Sequence, residues 1–356
     1  MKQAAASAPG KLLLTGEYAV LDGAPALVAA VDRRAHARVA TAADGRGRLT
    51  ARPLGLVDAP TALVDDRVEC PGCGDVDLGA TGGFLPRALA ALGRRPSEAA
   101  SLTVAIDSRA LFDHARGGSI KLGLGSSAAV CAALAAALEA LFPLTGAVPG
   151  PDRLARWLPA YRAALGGHAS GADLAAALRG GLIVYADDGD APAAQARAWP
   201  TGLHWQPVWV GRPARTTDFV ARFRCWQRDR PGDAAARLAE LDALARRAAE
   251  AVGDADELAA AAADYGAGVR ALGDAMDCPV ETPMHRRLAN AAERLQTSYK
   301  TCGAGGGDFG VALDTDRDRL AAFAAAAAGL GAVPVDLRLG RRGAEVADPE
   351  RPGTGD

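Results

Sequence analysis

The chain has 356 residues, 49% of them hydrophobic, and its 40 Lys and Arg against 42 Asp and Glu leave a net charge of −2. This length exceeds the size at which single cores usually stop growing, so two domains sharing a cleft are expected. The balanced charge offers no electrostatic footprint for nucleic acid or for an anionic membrane surface, which leaves a small molecule as the expected partner.

In chain order, short apolar runs at Lys11–Leu14, Ala26–Val31, Ala35–Ala40, Leu102–Ile106 and Leu182–Tyr185 predict strands. Helices are predicted near Phe84–Leu92, Ser127–Phe142 and Pro151–Leu165. The Ser127 helix is apolar on nearly every face, which places it inside the core. Regions 43–80 and 107–118 are Gly-rich and weakly periodic and read as loops near the cleft. After Tyr185 a polar stretch containing Gly189 and Pro192 marks a boundary near 190–202. Beyond it the pattern predicts a strand at His204–Val210, helices at Ala234–Val252 and Ala255–Leu272, and a helix opening at Pro283 with Thr282 as its cap. A strand at Phe309–Leu313, a helix at Arg317–Ala328 and a strand at Val333–Leu339 follow, and residues 344–356 read as a disordered tail. The class is α+β, with one unit over 1–195 and a second over 196–343.

No N-terminal segment has the order of a signal peptide, and the longest apolar run, Ala128 to Leu138, is too short to span a bilayer, so a cytoplasmic protein is expected. Six cysteines are too few for a disulfide scaffold in a chain this long. Cys70-Pro-Gly-Cys73 stands alone where a structural zinc site needs four ligands, and it reads as a surface turn. Monomer and homodimer both remain open.

The most informative stretch is Lys121-Leu-Gly-Leu-Gly-Ser-Ser-Ala-Ala-Val130. Gly123 and Gly125 let the backbone around Leu124 approach a bulky anion, and Ser126, Ser127 and Ala128 open a helix whose first amides lack intrahelical partners. Alone, such a run is equally an ordinary Gly turn with a Ser cap. Two further segments accompany it. Ala8-Pro-Gly-Lys-Leu-Leu-Leu-Thr-Gly-Glu-Tyr18 is a short strand pattern ending in a tight turn, and Lys300-Thr-Cys-Gly-Ala-Gly-Gly-Gly-Asp-Phe-Gly310 is a glycine-dense loop leading into a strand.

In this order and at these separations, the three segments resemble the signature set of the GHMP small-molecule kinases, the family that includes galactokinase, homoserine kinase, mevalonate kinase and phosphomevalonate kinase. The resemblance covers most of the chain. It implies an N-terminal nucleotide-binding α+β domain and a C-terminal ferredoxin-like domain, with ATP and Mg²⁺ as cofactors. The nucleotide would lie against Lys121, Gly123, Leu124, Gly125, Ser126, Ser127 and Ala128, and Ser127 would help hold Mg²⁺. Many members add a Glu ligand before the catalytic Asp, and here the only Glu in that interval is Glu139, three turns into the Ser127 helix.

Gly167-His-Ala-Ser-Gly-Ala-Asp173 matches the family's Ser-Gly-x-Asp segment, so Asp173 is the catalytic candidate, with Lys11 as a nearby cation holding it ionised. Their bland readings are a first-turn Asp that steadies its helix and a solvent-facing lysine. Glu17, Tyr18, Ser170, Gly171, Gly305, Gly306 and Asp308 are the implied substrate-binding residues. His168 has no duty in the family pattern. Lys121 before the loop, the Gly-Glu-Tyr form and the Gly-Ala-Gly-Gly-Gly-Asp loop are similar to the phosphomevalonate kinase branch, with Cys302 and Phe309 as departures. The implied reaction is ATP-dependent phosphorylation of 5-phosphomevalonate. Mevalonate kinase, another GHMP kinase, or a non-catalytic nucleotide-binding relative are the alternatives.

Overall fold

The computed structural model describes residues 2–74, 76–113, 120–144, 153–167, 169–187, 189, 191–214 and 216–347. Its larger sheet grows around β1 (Gln3–Thr15) and β2 (Ala26–Thr41), antiparallel from Gln3↔Ala40 to Thr15↔Leu27. The two runs expected as separate strands are one. Asp32-Arg33-Arg34 stays extended between them because Arg34 has partners: it donates to the Ser7 hydroxyl and carbonyl (both 2.9 Å) and to the Gly343 carbonyl (2.8 Å).

The region 43–80, expected as loops, carries four short strands: β3 (Arg48–Ala51), β4 (Leu56–Pro60), β5 (Ala62–Val64) and β6 (Arg67–Glu69). Inward Leu49 and Ala51, alternating with half-buried neighbours on β3, and inward Leu56 and Ala59 on β4 give this region its buried face. Cys70 and Cys73 close a turn in which the Cys73 N–H donates to the Cys70 carbonyl at 3.2 Å, and both thiols are free. Next come α1 (Ala80–Ala91), β7 (Leu102–Asp107), the hairpin β8 (Phe112–Asp113) and β9 (Ile120–Lys121), then α2 (Ser126–Leu141), α3 (Arg153–Ala164), α4 (Ala172–Arg179), β10 (Leu182–Ala186) and β11 (Ala193–Arg197). The sheet order is β11-β10-β2-β7-β3-β4, with β1 on the other edge of β2. α2 packs across β1 and β2 and against α4, and Ala128 to Leu138 are all buried, as its all-round apolarity predicts.

The second half holds β12 (His204–Trp209), α5 (Thr216–Asp229), α6 (Pro231–Glu250), α7 (Ala255–Ala275), α8 (Pro283–Arg294), β13 (Ser298–Thr301), β14 (Phe309–Asp314), α9 (Arg317–Gly329) and β15 (Val333–Pro334). Its antiparallel sheet runs β13-β14-β12-β15, which is the order of the ferredoxin-like β-α-β-β-α-β arrangement. α8 opens as its sequence predicts, with Pro283 in the first turn and the Thr282 hydroxyl accepting the His285 N–H at 3.3 Å.

The strand expected over Val333–Leu339 stops after Pro334: the Val335 N–H still donates to the Pro207 carbonyl (3.0 Å), but Pro207 has no N–H to return the bond. The chain then crosses back onto the first half. Gly340 donates to the Ala30 carbonyl (2.9 Å), Ala344 to that of Leu178 (3.2 Å), and β16 (Glu345–Val346) pairs with β1 at Ser7↔Glu345. The beginning of the expected disordered tail is therefore a strand, because Arg34 and the open edge of β1 give residues 344–347 partners; the remainder lies outside the described residues, as does His168. No described helix is long and apolar enough to cross a membrane.

Candidate active site

The glycine loop before α2 is stitched to its neighbours through the backbone. The Lys11 N–H donates to the Leu124 carbonyl at 2.9 Å and the Leu122 N–H to that of Leu111 at 3.2 Å. Gly123 and Gly125 have φ of 78° and 71°, and each has a charged side chain against it: a Cβ on Gly123 would overlap the Asp308 carboxyl, and one on Gly125 would meet the Lys11 stem at 3.0 Å. Gly125 is the N-cap of α2 and has no side chain to occupy the first amides, which leaves them free for an anion.

Asp308 comes from the second half of the chain, so the third glycine segment converges on the first-half loop. Its carboxylate accepts the Ala214 N–H at 2.9 Å. Burial pushes it from the usual 3.8 up to about 6, against the pull of Lys11 and Lys121. Lys121 reaches solvent but is crowded like a group in the mouth of a cleft. Lost hydration lowers its pKa, Lys11 lowers it further, and Asp308 and Asp173 oppose both. Two cations and two carboxylates thus surround the loop. Among the described residues no ion pair joins Lys11 to Asp173, and Lys11 favours the charged form of Asp308.

Asp173 lies in the first turn of α4, where the dipole favours an anion. Its Oδ2 accepts the Tyr161 phenol at 2.7 Å and its Oδ1 the Leu174 N–H at 2.9 Å. The preceding turn is held as tightly. The Ser170 carbonyl accepts from both Arg162 and Tyr185 at 2.6 Å, and a Cβ on Gly171 (φ 94°) would strike Leu158. Ser170 and Gly171 thereby set the entry of α4.

Glu17 and Tyr18 were expected to face substrate, and the structure gives them other work. Glu17 is 2% exposed; its Oε1 accepts from the Lys300 ammonium at 2.6 Å and the Gly303 N–H at 3.2 Å. Tyr18, buried with φ 64°, donates to the Ala304 carbonyl at 2.5 Å and packs on Phe223. Both side chains anchor the third glycine segment because they are sealed between the two halves. Gly305 and Gly306 belong to the same anchorage: a Cβ on either would strike Val280 or Phe219, and the Gly306 N–H donates to the Val280 carbonyl at 2.8 Å. Buried His285 adds a clamp, with Nε2 donating to the Gly307 carbonyl (3.0 Å) and Nδ1 accepting from the Tyr299 phenol (2.7 Å). Lys300, His285 and Tyr161 escaped the sequence reading. Lys300 was visible as the one charge in the strand before the glycine loop, whereas the other two gave no local signal.

His285 and Asp308 make opposite contributions to acid stability. Burial lowers His285 from 6.5 to about 4, so between those values the unfolded chain binds a proton that the fold refuses, and stability falls as pH falls. Asp308, raised from 3.8 to about 6, binds its proton sooner when folded, so it adds stability over nearly the same interval as pH falls. Each is worth at most about 3 kcal/mol by linkage, less for partly exposed Asp308. Asp308→Asn is therefore expected to steepen the loss of the thermal midpoint between pH 6.5 and 4.5; identical slopes in variant and parent would contradict the assignment.

Glu139 is spoken for, accepting from Trp157 Nε1 (2.9 Å) and pairing with Arg153 (2.9 Å) and Arg156 (3.3 Å). Among the described residues there is no cluster of three His, Cys, Asp or Glu that could cage a metal. Mg²⁺ does not require one, since it keeps waters and substrate phosphates in its shell. The Ser127 hydroxyl, in the first turn of α2, and the Asp308 carboxylate offer the hard oxygen donors it prefers.

Residues 87–181 match the family described as GHMP kinases N terminal domain. The chain is 32% identical over 343 residues to a phosphomevalonate kinase of Streptomyces sp. (strain CL190), covering 86% of this chain and 88% of that protein. A mevalonate kinase of Thermococcus sibiricus is 29% identical over 183 residues, 51% of this chain and 50% of that one. The Streptococcus pneumoniae phosphomevalonate kinase, solved in complex with phosphomevalonate and AMPPNP, shares the fold with a TM-score of 0.71 at 22% identity, over 94% of this chain and 99% of that one.

Proposed function

This chain belongs to the GHMP kinases, a family of ATP-using phosphotransferases, and on that premise we propose that it transfers the γ-phosphoryl group of ATP to the phosphate of 5-phosphomevalonate, giving 5-diphosphomevalonate. The observation that carries the choice of acceptor is Lys121, a second cation beside Lys11 at the glycine loop that can donate a charge-assisted hydrogen bond to a phosphate already on the acceptor. The name of the Streptomyces relative supports the same choice. The free amides of α2 cradle the nucleotide phosphates, Ser127 and Asp308 would hold Mg²⁺, and that ion would supply charge neutralisation between the phosphates. Asp173 aligns the acceptor oxygen and takes any proton it still carries. The units 1–195 and 196–343 act as the two walls, and a monomer suffices because both walls come from one chain.

The test offers purified protein ATP-Mg²⁺ with mevalonate, 5-phosphomevalonate, homoserine or galactose and measures ADP release. Turnover of mevalonate at a kcat/KM equal to or above that of 5-phosphomevalonate would replace this reading with the mevalonate kinase one, which the Thermococcus relative favours. Lys121→Ala is expected to raise KM for 5-phosphomevalonate by roughly tenfold or more, a charge-assisted hydrogen bond being worth about 1.5–3 kcal/mol, with a smaller change for ATP. A loss confined to ATP would move Lys121 to the nucleotide.

A further inference from the structure

We infer that Tyr161 is a positioning residue for phosphoryl transfer, its buried phenol fixing the angle at which the Asp173 carboxylate meets the acceptor; this rests on the role proposed for Asp173. A carboxylate rotates easily about its last torsion, so one in the first turn of a helix has no set direction of its own. Here both oxygens are held. The Leu174 N–H fixes Oδ1 and the Tyr161 phenol fixes Oδ2 at 2.7 Å, a length typical of a hydroxyl bonded to an ionised oxygen. Among the described residues each oxygen accepts one hydrogen bond, which leaves lone pairs for the acceptor group.

The phenol itself takes no part in the chemistry. Tyr161 is 1% exposed, and burial together with the neighbouring Asp173 charge holds its pKa well above the usual value, so it remains a donor. The Cys131 thiol, facing Asp173 from α2, is likewise kept protonated by burial. On the cleft side the Asp173 charge favours the charged form of Lys121.

The next residue along α3 reinforces the device. Arg162 donates to the carbonyls of Ala169 (3.0 Å) and Ser170 (2.6 Å) and pairs with Asp187, so α3 grips the Asp173 segment by its backbone while Tyr161 grips it by its carboxylate.

Tyr161→Phe keeps the ring and removes only the donor. It is expected to lower kcat roughly tenfold while KM for ATP stays within about twofold and the thermal midpoint within a few degrees. The decisive measurement repeats the substitution in an Asp173→Ala background, where no carboxylate remains to be positioned and the further loss should be less than about twofold. An equal loss in both backgrounds, or no loss in the parent, would overturn the positioning role. If Asp173→Ala alone retained nearly full kcat, the role of Asp173 would fall first, and the two failures are thereby told apart.

Discussion

Asp173→Asn is expected to lower kcat by roughly 10²–10⁴ with nucleotide affinity within about twofold and folding intact. Asn keeps the shape of the side chain: its one oxygen can still accept the Leu174 N–H, and its NH2 can donate to the Tyr161 phenol oxygen in place of the bond Asp173 accepts there, so the main change is the loss of the negative charge. In the proposed reading the nucleotide would rest on the α2 amides and the 123–125 turn, which this substitution does not touch. Lys11→Ala should cost a comparable factor, because its stem lies against Gly125 and its charge favours ionised Asp308 beside the loop. The double variant should still lose less than the product of the single losses, because both residues serve one transfer step. Full multiplication would assign them to separate steps. Since phosphoryl transfer leans on positioning, a loss below tenfold at Asp173 would mean that the acceptor arrives already ionised.

What was legible in the sequence was local. The glycines at 123 and 125 declare a turn that needs positive φ, and the apolarity of Ala128 to Leu138 declares a buried helix. Thr282-Pro283 declares a cap, and each of these signals sits within a few residues of its consequence. What was missed depends on partners far along the chain. Asp32-Arg33-Arg34 looks like a strand break until Gly343 arrives to accept from Arg34, and residues 344–347 look like a tail until β1 offers an edge. α5 was overlooked although Phe219, Phe223 and Trp226 fall at helical spacing, because the charged residues between them hide the stripe. The site divides in the same way. Motif spacing located the glycine loop, Asp173 and Asp308, whereas Tyr161 and Lys300 draw their roles from side chains 12 and 283 positions away.

The Glu17–Lys300 pair ties the two halves through buried charge, and removing one partner alone should have a large effect on stability. Both side chains are 1% exposed, with 2.6 Å between ammonium and carboxylate. Glu17→Ala would leave the ammonium buried with the Thr301 carbonyl as its remaining partner, at an expected cost of about 3–5 kcal/mol. The pair is not a stabiliser in itself: among the described residues Glu17 Oε2 has no hydrogen-bond partner, so the ions recover their lost hydration only in part. It follows that Glu17→Leu with Lys300→Met, which removes both charges and keeps the volume, should regain most of the loss. Activity should remain impaired in that double variant, because the Gly303 N–H loses its acceptor and the glycine segment that carries Asp308 loses an anchor. Urea unfolding at 25 °C of the parent, the single variant and the double variant, each paired with an ADP-release assay, separates the two effects. A Glu17→Ala protein within about 1 kcal/mol of the parent would show that water reaches Lys300 once the carboxylate is gone, and the junction between the halves would then rest on Tyr18 and the apolar residues packed around it.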